Sequence, residues 1–353
     1  MGTESIEASF LSIFALITFF VFLYISKISH KFIDGALLDS NFSKPQAFHE
    51  TVISRSGGVA ALISLSVFYG IYFLLYKKIL YDYIFISYSM FLIGFLDDLK
   101  INFRPIKRLF FMIIFLLIFI YFIPIEILNI DIPMLGFLMK NKFFSTIFIL
   151  LCFLFIINGA NLIDGFNGLL TINLIIINTI LTYINILNAN MEFSVILIAQ
   201  IIVLLSFLLF NFPYAKIFLG DSGAYLMGSL IALNTIITNN LNPNVSSFFF
   251  CTLLFYLFFE VFFSFFRKIS QKKSPFHPDE KHLHMLSFYK LSQKFGKERG
   301  NFLNSIVINL LYFFLILPGL YFFDNPLLSR FWFFILLIIY IIIYFRLYRL
   351  IRN

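Results

Sequence analysis

The stretch Phe91-Leu92-Ile93-Gly94-Phe95-Leu96-Asp97-Asp98 runs six uncharged residues directly into two carboxylates. Such a run belongs either to a buried core helix or to a membrane span, and the rest of the chain decides which. Of 353 residues, 61% are hydrophobic and 12% charged, with a mean hydropathy of +0.94. A soluble domain is nearer half apolar and a quarter charged. The chain therefore reads as an integral membrane protein, and carboxylates at the end of a span are costly enough there to suggest function.

Working outward, about 20 mostly apolar residues make a span. Candidates are roughly 9–26, 58–76, 79–96, 107–123, 143–160, 168–189, 193–211, 217–239, 246–267, 303–322 and 328–349. The expected fold is all-α, a polytopic membrane protein of about eleven transmembrane helices forming one domain over 1–353. The segment 217–239 is the least regular because it begins in a Gly-rich motif, and 127–138, with Asp131 and Pro133, reads as a surface or re-entrant piece. Glu4 and Glu7 precede the first run, whereas a signal peptide starts basic, so that run reads as a retained span. Cys152 and Cys251 fall in apolar runs, and neither a disulfide framework nor a cysteine metal site is expected. No internal repeat of the transporter kind stands out.

Lys and Arg set the orientation. With the N-terminus outside, 21 of the 26 basic residues face inward, nine of them in the basic segment 267–302. Only Lys77, Lys78, Lys140, Lys142 and Arg330 face the other side. The net charge of +8 thus follows from topology and phosphate-bearing ligands rather than from nucleic acid. The same count places Asp97-Asp98, 158–167, 211–223, the segment 268–302, read as one basic His-containing loop, and His49 to Gly58 together on the cytoplasmic side.

Each motif then has a chemistry and a plainer alternative. Asp97 and Asp98 point about 100° apart on a helix. One could bind or organise a cation-bearing ligand while the other accepts a proton; alternatively the pair is a solvated helix end beside Lys100. In Asn158-Gly159-Ala160-Asn161-Leu162-Ile163-Asp164-Gly165-Phe166-Asn167-Gly168 the three-residue spacing of Asn161, Asp164 and Asn167 lines one helix face with oxygen donors. That face suits a divalent cation or a nucleotide; otherwise it is a capped polar loop. Asp221 in Gly220-Asp221-Ser222-Gly223 suits Mg²⁺ or a helix N-cap. His282 and His284 cannot share a helix face, but a loop could aim both at one phosphate. A zinc site lacks a third ligand in familiar spacing.

Together these motifs resemble the polyprenyl-phosphate N-acetylhexosamine-1-phosphate transferases (glycosyltransferase family 4) over His49 to about Gly300. His49, Arg55 and Gly57-Gly58 look like that family's first cytoplasmic loop. Gly94-Phe95-Leu96-Asp97-Asp98 with Pro105 and Arg108 resembles its second, the Asn161 and Asp221 motifs its third and fourth, and Ser274-Pro275-Phe276…Pro278-Asp279…His282-Leu283-His284 its last. This last motif is similar to the undecaprenyl-phosphate N-acetylglucosaminyl-1-phosphate transferase branch, which primes O-antigen, teichoic acid or related surface glycans. The run of consecutive histidines in the peptidoglycan branch is absent. Asn167 stands where many members have Asp, Glu280 replaces a common Arg, and Met285 a common third His.

The resemblance implies transfer of a sugar-1-phosphate from a UDP-N-acetylhexosamine to undecaprenyl phosphate at the bacterial cytoplasmic membrane, releasing UMP. It implies Mg²⁺, with Mn²⁺ as a substitute, held by Asn161 and Asp221. Asp97 or Asp98 would orient or deprotonate the lipid phosphate. Asp164 and Asn167 would contact the nucleotide, and His282, His284, His49 and Arg108 would hold phosphates. Expected partners are undecaprenyl phosphate, the UDP-sugar and membrane lipids; a homodimer stays open, and no nucleic acid is expected. The alternative reading is a transporter or lipid flippase, whose polar groups would lie near the bilayer midplane.

Overall fold

The computed structural model describes residues 3–39, 52–101, 104–274 and 279–352. His49 and residues 275–278 of the last motif lie outside them. The described chain is helical except for a small ladder in which β1 (Leu38–Asp39) pairs antiparallel with β2 (Ile53–Ser54). Helices satisfy their backbone hydrogen bonds internally, as a chain in lipid must, and this is an all-α polytopic membrane protein.

In chain order, α1 is Thr3–Ile28, α2 Gly57–Tyr76, α3 Tyr81–Asp98, α4 Pro105–Phe122, α5 Pro133–Met139, α6 Lys142–Ile163, α7 Leu169–Leu187 and α8 Met191–Asn211. There follow α9 (Gly220–Leu241), α10 (Ser247–Leu253), α11 (Phe255–Ser270), α12 (Leu283–Phe295), α13 (Lys297–Tyr321) and α14 (Pro326–Arg352). Among the described residues, eight helices qualify as membrane spans by length and apolarity, namely α1, α2, α4, α6, α7, α8, α13 and α14. The expected single span 246–267 is instead α10 and α11, which pass the same test together but meet at a 74° bend. The two remaining expected positions, 79–96 and 217–239, belong to α3 and α9, which fall outside that apolar set. The piece 127–138 contains only the seven-residue α5, none of whose residues is buried.

Two corrections concern the basic segment. It is not one loop: residues 283–295 form α12, which buries Leu283 through Phe288. In addition, α13 starts at Lys297, six residues before the expected 303.

Helix α9 need not be apolar because protein surrounds it. It packs along α3 and is enclosed by α6, α2 and α7, with 18 of its 22 residues buried. Its polar groups are matched across helices. Asn234 donates to Asn178 Oδ1 of α7 at 3.1 Å and to Gln200 Oε1 of α8 at 2.7 Å, and it accepts from the Tyr83 hydroxyl of α3 at 2.8 Å. Nearer its C-terminus, Thr238 Oγ1 accepts from Asn185 Nδ2 at 3.0 Å. Interhelical bonds of this kind contribute about 0.6 kcal/mol each, so their main effect is to fix which face of α9 meets which neighbour.

The start of α9 is pressed against two other helices. Gly57 N–H donates to Phe218 O, Gly58 N–H to Leu219 O and Phe218 N–H to Ser54 O, each near 2.9 Å. A Cβ on Gly58 would lie 2.5 Å from Gly223 N, and one on Gly94 would lie 2.4 Å from the Asp221 carbonyl. Backbone cannot yield there as a side chain could. Gly94→Ala is therefore expected to destabilise by about 1–3 kcal/mol through overpacking. Gly70, also within a helix but with open space around it, is the control: Gly70→Ala should be neutral or stabilising by up to about 1 kcal/mol. Melting temperatures of the two variants in the same detergent check this contrast.

Candidate active site

The first N–H groups of a helix need partners from outside it. Leu219, the residue before α9, provides no side-chain cap. Asp98, at the end of α3, does so instead: its Oδ1 accepts from Asp221 N–H at 3.0 Å and its Oδ2 from Ser222 N–H at 2.9 Å. A carboxylate at a helix N-terminus also gains from the helix dipole. The fit requires Gly220, whose φ is +77° and where a Cβ would meet the Asp98 carboxylate at 2.6 Å. Asp98 is 1% exposed. Arg55 flanks it, with Nη1 3.4 Å from Asp98 Oδ1, while its Nε and Nη2 donate to Asp39 Oδ2 at 3.1 and 2.7 Å.

Asp97, one residue earlier, faces a cavity of about 690 Å³. Arg108 of α4 joins it to the third motif carboxylate. The same Nη1 donates to Asp97 Oδ2 at 2.6 Å and to Asp221 Oδ2 at 2.8 Å. Asn161, at the end of α6, donates from Nδ2 to Asp221 Oδ1 at 3.0 Å. Four chain segments thus meet on Asp221. Asp164 and Gly165 continue the polar wall, and Asp39, Arg55, Lys268 and His282 complete it. The rest of the lining is largely apolar, with Leu109 and Met112 from α4, Leu151, Leu154 and Phe155 from α6, and Val261 and Phe265 from α11.

The remaining expected residues separate. His282 precedes α12 and lines the cavity, with Nδ1 3.1 Å from Glu260 Oε2 and Nε2 3.3 Å from Asp279 Oδ1. Asp279 is also held by Arg267 at 2.7 and 3.2 Å. Burial alone would raise Asp279, but the Arg267 hydrogen bond and charge bring it below the usual carboxylate range. His284 stacks parallel to His282, with ring centres 5.5 Å apart, but it is fully buried and outside the cavity lining. Its Nδ1 lies 3.2 Å from the Tyr256 hydroxyl, and burial pushes its imidazole down to about 3. Asn167 likewise does not line the cavity. Its side chain donates to Pro213 O at 2.9 Å and its N–H to Asn301 Oδ1 at 2.8 Å, tying the segment after α6 to α13. Neither His284 nor Asn167 is placed beside the carboxylates, since i and i+2 residues diverge on a turn and the 164–168 segment has left the helix. His49 lies outside the described residues.

Sequence reading missed Asp39, Glu260 and Lys268. Glu260 carried a signal, because it is the lone charge in the apolar stretch 246–266. Asp39 carried none; only the β1–β2 pairing brings it to Arg55.

Chemically, the site offers carboxylates facing a cavity, two arginines that hold them together, and an apolar wall alongside. Among the described residues, no three His, Cys, Asp or Glu side chains are disposed to hold a metal by themselves. Mg²⁺ commonly takes only one or two carboxylates, with water and substrate phosphates supplying the rest. Asp97 and Asp221, both already directed at one cationic group, fit that mode of binding.

Residues 80–239 match the glycosyl transferase family 4 model. The chain is similar to the undecaprenyl-phosphate alpha-N-acetylglucosaminyl 1-phosphate transferase of Thermotoga maritima, with 28% identity over 286 residues, 80% of this chain and 81% of that protein. It is also similar to the phospho-N-acetylmuramoyl-pentapeptide-transferase of Streptococcus uberis, 36% identical over 154 residues, 41% of this chain and 45% of that one. The Leuconostoc mesenteroides protein of the same name is 43% identical over 81 residues, 23% and 25% of the two chains.

Asp164 yields a pH prediction. Desolvation in its recess, aided by the Asp221 charge and only partly offset by Arg55, raises its carboxyl well above the usual value. A group raised in the folded state loses stability as pH rises and it ionises. Asp164→Asn should therefore melt above the parent protein at neutral pH. That gap should close as pH falls toward the unfolded carboxyl value of about 3.9, which melting curves over a pH series will show.

Proposed function

With the chain placed in glycosyl transferase family 4 as a membrane sugar-phosphate transferase, we propose that it moves a sugar-1-phosphate from a UDP-N-acetylhexosamine to undecaprenyl phosphate. N-acetylglucosamine-1-phosphate is the default group transferred, and UMP leaves. The product would begin a lipid-linked surface glycan at the bacterial cytoplasmic membrane. The observation that carries this reading is the composition of the cavity. Carboxylates and arginines suited to phosphates and apolar side chains suited to a prenyl chain line one and the same space. A transporter reading has less support, because the site carboxylates gather at helix ends rather than at breaks in mid-span.

In the proposed reaction an oxygen of the lipid phosphate attacks the sugar-bearing phosphorus. The bond from that phosphorus to the bridging oxygen breaks, and UMP keeps that oxygen. A phosphate monoester is largely ionised near pH 7, with a second pKa of about 6, so it needs little base assistance. The demand on the protein is positioning and charge control. Asp97 faces the cavity and would orient the acceptor phosphate or take its remaining proton. Asp98 would act differently: with both oxygens on α9 N–H groups it holds Asp221 in place. Arg108, Lys268 and His282 would bind phosphate oxygens, and Asp164 would contact the nucleotide. Asp221, with Asn161 and Asp97 beside it, would hold Mg²⁺, which when bound neutralises charge on the diphosphate and the departing UMP. Leu109, Met112, Leu154 and Phe265 would shelter the first isoprenes.

The test is product formation by purified protein given undecaprenyl phosphate and a panel of UDP-N-acetylhexosamines. UMP and polyprenyl diphosphate-sugar are expected in equal amounts with at least one donor. Failure with the whole panel, in protein that melts normally, would overturn the reading. Asp221→Asn and Asp97→Asn are each expected to lower the rate by about 10²–10³-fold, with normal melting. Excess chelator should stop transfer and added Mg²⁺ should restore it; undiminished activity in chelator would remove the metal from the scheme.

A further inference from the structure

Glu260 sits within the apolar stretch 246–266 and is 1% exposed. An ionised carboxylate in such a place needs several donors. Glu260 has three, from two separate parts of the fold, α14 and the start of α12. Its Oε1 accepts from the Tyr340 hydroxyl of α14 at 2.8 Å and from the Leu283 N–H of α12 at 3.0 Å. Its Oε2 lies 3.1 Å from His282 Nδ1. The other ring nitrogen, Nε2, lies 3.3 Å from Asp279 Oδ1, and His282 itself lines the cavity.

The geometry points to Glu260 as the positioning residue for His282, a role that rests on the sugar-phosphate transfer reading above. An ionised carboxylate only accepts hydrogen bonds. Glu260 therefore keeps a proton on Nδ1, fixes the plane of the ring, and leaves Nε2 as the atom presented to a ligand. A carboxylate behind one imidazole nitrogen also stabilises the ring when both nitrogens are protonated, the form in which Nε2 donates to an anionic oxygen. Asp279 Oδ1, 3.3 Å from Nε2, stands where such an oxygen would bind. Arg267 holds Asp279 with two hydrogen bonds, so Asp279 would keep partners when a ligand oxygen takes its place at Nε2. The Leu283 bond adds precision: Glu260 grips the backbone next to His282 as well as its side chain, so the residue cannot swing while the ring stays aligned.

Glu260→Gln separates this role from a plain brace between α11, α12 and α14. Glutamine keeps the size and an acceptor for Leu283 and Tyr340 but removes the charge facing Nδ1. Transfer rates of the parent, Glu260→Gln, His282→Gln and the double variant form one arm. Glu260→Gln is expected to lose about 10–100-fold, as for a carboxylate behind a ligating histidine, and the double variant to be no slower than His282→Gln. The other arm uses ¹⁵N-histidine-labelled protein, in which the His282 ring signals are assigned by their loss in His282→Gln. Those signals should show a protonated Nδ1 in the parent and should shift in Glu260→Gln, at an unchanged melting temperature. An unaltered rate, an equal fractional loss in both backgrounds, or ring signals that do not move would each overturn the assignment. Were the parent to make no product, the transfer reading would fall, and the ¹⁵N comparison would still decide whether Glu260 sets the ring.

Discussion

The bond between Asp98 and the first N–H groups of α9 is the constraint from which the site follows. It joins the end of one helix to the beginning of another 123 and 124 residues later in the chain. Once that joint is made, Asp221 has a fixed place, and Asn161 and Arg108 can reach it. A buried carboxylate would be costly alone. Here two backbone N–H groups, the helix dipole and Arg55 offset the cost. The close approach of three backbones also needs residues without side chains at 58, 94 and 220.

A second constraint is mutual repulsion. Asp97, Asp98 and Asp221 crowd one corner of the fold, and like charges at short range oppose it. Arg108 and Arg55 resolve the conflict in separate ways. Arg108 bridges Asp97 and Asp221 at the cavity surface, whereas Arg55, on the same wall, ties the buried Asp98 to Asp39. The arrangement keeps Asp97 and Asp221 facing the cavity while Asp98 stays buried behind them. Beside it, α4, α6 and α11 present leucine and phenylalanine to the same cavity, so a ligand with a charged head and an oily tail finds both surfaces within one opening.

Much of the architecture was legible from composition and from the distribution of Lys and Arg. The apolar runs mark the helices, and the parity of spans requires the acidic motifs to share one end, where Asp97, Asp98, Asn161 and Asp221 do meet. Helix α9 was harder to read, since protein shields 18 of its 22 residues and it escapes the demand for apolarity. The bend at Leu254 was invisible because the residues on both sides are equally apolar. Adjacent Asp97 and Asp98 were known to diverge, but their roles were not: one faces a cavity and the other caps a helix. His282 and His284 divide in the same manner between a cavity wall and a buried stack.

What the sequence determined by itself is a membrane protein with its chemistry gathered at one face. Hydrophobic length and the sidedness of positive charge are local, additive properties, and they survive without knowledge of neighbours. Tertiary structure alone decided which polar side chains touch a ligand and which hold the frame. Asp98, Asn167 and His284 are spent on hydrogen bonds or packing inside the protein, while Glu260 reaches His282 only because α11 turns away from α10. Those outcomes depend on pairing between distant segments, where a 3 Å contact is set by helix direction and close backbone packing that no stretch of sequence contains alone.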